Sequence, residues 1–181
     1  MKIITISREC GSGGHSLAVS LAKELNIPCY DKEIISMVAE KCKVSEEYAN
    51  NVSEVLQSHS FSLFSISNNG NVFPYATPSL QDQINGAQIE IIKQLAEKGP
   101  CIIVGRGADY ILRERNDVLN IFVKASMDYK IQTSFEKHNL NKKEAEKTLL
   151  KRDKERARHY SFYTGREWGN IKNYDIVIDT S

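Results

Sequence analysis

Between Ser7 and Ser16 the chain reads S-R-E-C-G-S-G-G-H-S. Gly11, Ser12, Gly13 and Gly14 follow a short hydrophobic run and lead into a segment with helical periodicity. Main-chain amides in such a turn converge on an anion, helped by the positive end of the helix dipole. Glycine allows the close approach and the positive φ angles that this geometry needs. His15 and Ser16 stand at the helix start and add donors. The chemistry these residues suit is phosphate binding. A strand-to-helix turn that requires glycine for geometry alone is the other reading of the same residues.

A P-loop of the form G-x-x-x-x-G-K-[ST] carries a lysine that reaches the β- and γ-phosphates. In that register Gly13 takes the second glycine position, Gly14 the lysine position and Arg8 the first glycine position. One charge is lost from the end of the loop and another appears at its beginning. Arg8 either compensates, because a guanidinium is permanently charged and grips phosphate with two donors, or pairs with Glu9 or Asp31 for structure.

The elements that must position this loop alternate along the chain. Ile3, Ile4 and Ile6 read as a first strand. Leu17, Ala18, Leu21, Ala22 and Leu25 repeat at helical spacing. Ile27 to Tyr30 reads as a short second strand, with Pro28 pushing Ile27 towards an extended conformation. Ile34, Ile35, Val38, Ala39 and Cys42 trace one face of a second helix, and Ser45 starts another that runs to about Leu56. Ser58 to Pro78, rich in serine, asparagine and aromatics, is too long for a simple connection and reads as a functional loop or part of an inserted lobe.

Leu80 to Ala96 carries the pattern of a long helix, closed by Gly99 and Pro100. Its apolar face fits either burial or homodimerisation. Cys101 to Val104 is apolar throughout, as parallel strands covered on both faces are, and Leu119 to Val123 is a fourth strand. Ser126 caps a helix carrying Ile131 and Phe135, and Asn141 with Glu144 forms a capping box for the next. Asp175 to Ile178 supplies a fifth strand ending at Asp179. The alternation predicts an α/β fold around a parallel sheet, with ligands at the carboxyl ends of the strands.

The bulk numbers narrow the function classes. At 181 residues, 41% of them hydrophobic and 26% charged, the chain has the size of one domain with a sizeable core. Lys plus Arg is 24 against 23 for Asp plus Glu, a net charge of +1, so no broad field attracts nucleic acid or a membrane. Cys10, Cys29, Cys42 and Cys101 are far apart and show no zinc-ligand spacing; free thiols in a reducing compartment are the plain reading. No signal peptide or membrane span is legible, and a cytoplasmic location is expected.

With these residues in place, the sequence resembles the cytidylate kinase-like proteins of the P-loop nucleoside monophosphate kinase superfamily. The resemblance rests on I-S-R-E-C-G-S-G-G-H (Ile6 to His15), P-C-Y-D-K-E-I-I (Pro28 to Ile35), L-A-E-K-G-P-C-I-I-V-G-R-G-A-D-Y-I-L (Leu95 to Leu112), K-R-D-K-E-R-A-R-H-Y (Lys151 to Tyr160) and the closing Y-D-I-V-I-D-T-S. It implies a three-layer P-loop NTPase-type fold with a five-stranded parallel sheet. Within a single domain it implies a monophosphate-binding lobe over about 32–79 and an arginine-bearing lid over about 150–168. It implies ATP and Mg2+ as cofactors, Arg106 as a holder of the acceptor nucleotide, and Arg152, Arg156 and Arg158 as groups closing over phosphates. The lid charges also alternate with Asp153 and Glu155, which suits ordinary pairing on a solvated helix face.

Three departures from cytidylate kinases stand out. Gly14 replaces the lysine. Val104 occupies the strand-end position that often bears a carboxylate near magnesium. The arginine expected for the acceptor phosphate aligns near Met37, with Lys32 close by. Ser16 and Glu9 are the metal candidates, with Asp31 and Asp109 as further carboxylates at strand ends; Asp31 either orients the acceptor or pairs with Arg8. Relatives continue into another helix after the fifth strand, so the end at Ser181 leaves the expectation of a short form. The leading expectation is ATP-dependent phosphotransfer to a nucleoside monophosphate, cytidylate first. The alternatives are a nucleotide-binding regulatory module and a kinase for a non-nucleotide metabolite.

Overall fold

A computed structural model describes residues 3–54, 79–138 and 141–181. Of the lobe expected over about 32–79, residues 55–78, with the serine- and asparagine-rich stretch from 58 to 78, lie outside the described residues. Five parallel strands, β1 (Ile3–Arg8), β2 (Cys29–Tyr30), β3 (Cys101–Val104), β4 (Val118–Lys124) and β5 (Ile176–Asp179), form one sheet in the order β2-β3-β1-β4-β5. β1 is central, with Ile3 beside both Cys101 and Val118. The chain leaves β1 towards one edge and later crosses to the other, so the topology reverses at β1, where open α/β sheets bind ligands.

The alternation of side chains along the strands fills two layers. Ile3, Cys101 and Ile103 face α2 (Lys32–Cys42), α3 (Glu46–Glu54) and α4 (Leu80–Lys98), where Ile34, Val38, Ile84 and Ile92 are fully enclosed. Ile4, Ile6, Ile102, Val104, Ile121 and Val123 face α1 (Gly14–Leu25) through Ala18 and Ala22. Burying each isoleucine contributes about 1.5–3 kcal/mol relative to exposure, so both layers hold the sheet. The apolar face of α4 is spent in this core, and a capping box between Ser79 and Asp82 opens the helix.

Two short elements were not legible in the sequence: α5 (Ala108–Ile111) and a 3-10 turn at Ile171–Asn173. Beyond β4 come α6 (Met127–His138) and α7 (Lys142–Thr164), a 23-residue helix capped by the Asn141 side chain, which accepts from the Glu144 amide. The second strand is shorter than expected. Ile27 donates its amide to Ala22 O and so completes the end of α1, while Pro28 O already accepts from the Ile102 amide. Among the described residues no helix is long and apolar enough to cross a membrane.

Candidate functional site

The turn after β1 is built as the glycines require. Gly11 and Gly13 have φ of 82° and 75°, and Gly13 caps α1. Hydroxyls anchor its carbonyls from behind: Ser12 donates to Glu9 O (2.9 Å), Thr133 to Gly11 O (3.1 Å) and Thr180 to Ser12 O (2.8 Å). Leu17 is the first amide of α1 with a backbone acceptor, Gly13 O at 3.0 Å. The amides of Gly14, His15 and Ser16 precede it and, as at any helix start, are directed outward. They meet a cavity of about 680 Å3 bounded by residues 8–16, by Tyr129 and Thr133 of α6, and by Thr148, Leu149, Arg152 and Arg156 of α7. That volume lies in the range of small-molecule sites.

A lysine at position 14 is sterically excluded. A Cβ there would lie 2.5 Å from Arg8 Cβ. A Cβ on Gly105 would fall on the Arg8 Nη1 atom, so two glycines make the slot in which the arginine lies. Arg8 Nη2 stands 3.6 Å from Asp31 Oδ1, and the other oxygen of Asp31 is 2.8 Å from His15 Nδ1. Asp31 therefore pairs with Arg8, one of the two arrangements left open by the sequence.

A buried ionic cluster ties the turn to α6 and α7. Lys130, its side chain only 6% exposed, places Nζ 2.7 Å from Glu9 Oε2 and 3.4 Å from Asp153 Oδ2. The other Asp153 oxygen accepts from the Cys10 amide at 2.6 Å. Burial pushes the Asp153 carboxyl above its ordinary value, although the Cys10 amide and the Lys130 charge pull it down. Glu9 Oε2 also accepts from the Ala125 amide (3.1 Å). Glu9, a magnesium candidate from sequence, lines the large cavity and is held at contact distance by this buried ammonium. Ser16 remains at the helix start, lining the cavity.

The turn after β3 takes a different form. Gly105, Arg106 and Gly107 are successively left-handed, with φ of 70°, 59° and 65°. A side chain in that region costs about 1–2 kcal/mol, and such strain concentrates at functional sites. Arg106 Nη2 donates to Asn50 Oδ1 of α3 (3.1 Å), and Gln88 of α4 donates to Arg106 O (3.3 Å). Arg106, Arg8 and Arg156 together line a small cavity of about 60 Å3 beside the large one.

The remaining candidates are placed elsewhere. Arg152 and Arg156, one helical turn apart, face the large cavity, while Lys151 and Glu155 form an i,i+4 pair (3.8 Å) on another face of α7. Arg158 is exposed, and so is Lys32 at the first position of α2; neither lines these two cavities. Asp109 is buried against α7, accepting from Tyr160 OH at 2.6 Å, and burial raises its carboxyl. Asp109, expected from sequence as a substrate-binding carboxylate, is not among the residues that line these two cavities. Met37 packs into the core beside α4. Lys130, Thr133, Asp153, Thr180 and Asn50 carry no local pattern that marks them in the sequence.

Comparison with known proteins agrees with this architecture. A crystal structure of an uncharacterized protein from Eubacterium ventriosum is similar at 29% identity and a TM-score of 0.71, over 99% of this chain and 88% of that one. The shikimate kinase from Bacteroides thetaiotaomicron shares the fold at 13% identity and a TM-score of 0.56, over 99% and 86% of the two chains. A gluconokinase from Sinorhizobium meliloti does so at 12% identity and 0.53, over 99% and 83%. No curated protein matches the chain. The fold is that of P-loop kinases, and a model of the cytidylate kinase-like family matches residues 3–181, so the chain belongs to that family.

Proposed function

We propose that the protein transfers the γ-phosphoryl group of ATP to a nucleoside monophosphate, with cytidylate as the first acceptor. The observation that carries this reading is the large cavity, with outward amides at one wall and Arg152 and Arg156 at the other. In the reaction the bond between the γ-phosphorus and the β–γ bridging oxygen breaks. A bond forms from the same phosphorus to a phosphate oxygen of the acceptor, and ADP leaves. Such transfer asks the protein mainly for alignment and for neutralising the charge spread over the moving group. The donor's phosphates fit the cradle of Gly11 to Ser16, whose left-handed glycines and helix start are suited to anions.

Magnesium, when bound, would neutralise charge on the donor phosphates. Ser16 would be the residue of this chain that holds it. Among the described residues no group of three or more His, Cys, Asp or Glu side chains gathers as a metal cluster, which suits an ion held chiefly by the nucleotide. Arg106 would hold the acceptor phosphate from the turn after β3.

One observation favours a second reading, a nucleotide-binding regulatory module with little turnover. The lysine position is closed by Arg8, and the Cys10 amide is already taken by Asp153. Incubation with Mg-ATP and a panel of monophosphates separates the two, with shikimate and gluconate as non-nucleotide acceptors. ADP release matched by phosphorylated CMP or dCMP is the expected result. ATP binding by calorimetry with no product from any acceptor would instead support the regulatory module.

A further inference from the structure

Resting on the phosphotransfer reading, we infer that Arg8 is the cation at the junction of donor and acceptor, and that Asp31 is the residue that positions it there. A P-loop lysine reaches the donor's β- and γ-phosphates. Arg8 starts instead from the end of β1, lays its stem against Gly14 and ends over Gly105, at the turn that carries Arg106. It lines both the large cavity and the small one. Arg156 lines both as well and donates to Arg8 O (3.4 Å).

The small cavity is about 60 Å3, too small for a nucleoside and suited to a phosphoryl group. Its described lining includes Arg8, Arg106 and Arg156 and no carboxylate. Arg8 and Arg156 come together at this space, and two cations so placed repel each other unless an anion holds them. Asp31 supplies that anion from behind Arg8, whose side chain is 15% exposed. Both oxygens of Asp31 are engaged, one by Arg8 and one by His15, and the Asp31 amide donates to Glu33 Oε2 at 3.0 Å. Asp31 is thus fixed and occupied. It acts through Arg8 rather than on the acceptor. Gly14 and Gly105 are glycines because this route needs their space, and the absent lysine is part of the same arrangement.

The test measures Arg8→Ala, Asp31→Asn and the double variant in the full chain. It follows kcat and acceptor KM with CMP, and binding of a non-hydrolysable ATP analogue and of CMP by calorimetry. Arg8→Ala is expected to lower kcat about 10³-fold, with the analogue's Kd changed by less than about threefold and CMP binding weakened at least about tenfold. Guanidinium ion, filling the vacated slot, is expected to restore part of the rate. Asp31→Asn is expected to lower kcat about tenfold alone and to add nothing to Arg8→Ala, as residues acting in one unit do.

Loss of analogue affinity in step with kcat would overturn the inference, because that is the signature of a donor-phosphate lysine. Full additivity of the two substitutions would remove Asp31 from the role. If the wild type turns over nothing, yet Arg8→Ala weakens CMP and spares the analogue, the junction stands and the phosphotransfer reading fails. If the wild type does not bind CMP at all, both fail.

Discussion

Two glycine-bearing turns end adjacent parallel strands, and they are held in opposite ways. The turn after β1 is fixed from outside. Hydroxyls of Ser12, Thr133 and Thr180, the Asp153 carboxylate and the buried Lys130 ammonium each grip it. The turn after β3 is three successive left-handed residues of which one is arginine, with Asn50 and Gln88 as its side-chain partners. The first presents amides to a cavity of about 680 Å3, and the second lines one of about 60 Å3 and directs its guanidinium to Asn50 of α3. An amide cradle needs a rigid, widely supported main chain. A charge that must point one way is held by a strained Cα.

The contrast breaks first at Lys130. Replacing it in Lys130→Met strips Glu9 and Asp153 of their buried ammonium and leaves only Arg156, 3.9 Å from Asp153, and removal of one member of a buried pair costs about 3–5 kcal/mol. Chemical denaturation should show that loss, and ATP affinity should fall with it because the turn loses its support. At the other turn the expected loss is in turnover. Arg106→Ala and Arg106→Gly should both lower kcat about 10²-fold, yet the glycine variant should be the more stable by about 1–2 kcal/mol. Equal stabilities would mean that the left-handed Arg106 carries no strain.

Gly13 and Gly14 sharpen the account within one turn. Gly14→Ala drives a methyl into Arg8 and should cost about 1–3 kcal/mol, with a loss of turnover as Arg8 moves. At Gly13 an added methyl meets nothing within 4 Å. Gly13→Ala should therefore cost only the left-handed backbone penalty of about 1–2 kcal/mol and leave Arg8 in its slot. Matching kcat values for the two variants would contradict the steric assignment.

The smallest effect concerns Asp109, whose carboxyl burial raises above its ordinary value. The folded state then holds the proton more tightly than the unfolded chain does. Its effect favours folding below the usual carboxylate range, and stability falls as pH rises from that range through the raised folded value. Asp109→Asn keeps an acceptor for Tyr160, and it should make the urea midpoint less dependent on pH above the usual carboxylate range. Asp153, raised in the same direction, keeps the dependence from vanishing. An unaltered pH profile would show that the Asp109 carboxyl titrates alike in the folded and unfolded chains.

β1 and β3 were legible because each is a short run of β-branched and apolar residues covered on both faces. Cys101–Val104 matched the sequence reading to the residue. The glycine turn was legible because positive φ demands its residue type. The supports of the turn were not. Cys10 and Asp153 are 143 positions apart, and Ser12 and Thr180 are 168 apart, so no local periodicity marks them. Lys130 reads as a surface lysine on an amphipathic helix until the fold brings two carboxylates to it. The reason for glycine at position 14 was equally hidden, since it lies in the path of a side chain six residues earlier, folded back across the helix start.

The central claim is that the main chain from Gly11 to Ser16 grips the phosphates of ATP. Titrating Mg-ATP into 15N-labelled protein and following the amide resonances tests it most directly. Saturable shifts of Gly11, Gly13, Gly14, His15 and Ser16, with Arg152 and Arg156 side-chain signals moving at the same concentration, are the expected result. Saturation with those amides unmoved and the shifts clustered elsewhere would contradict it.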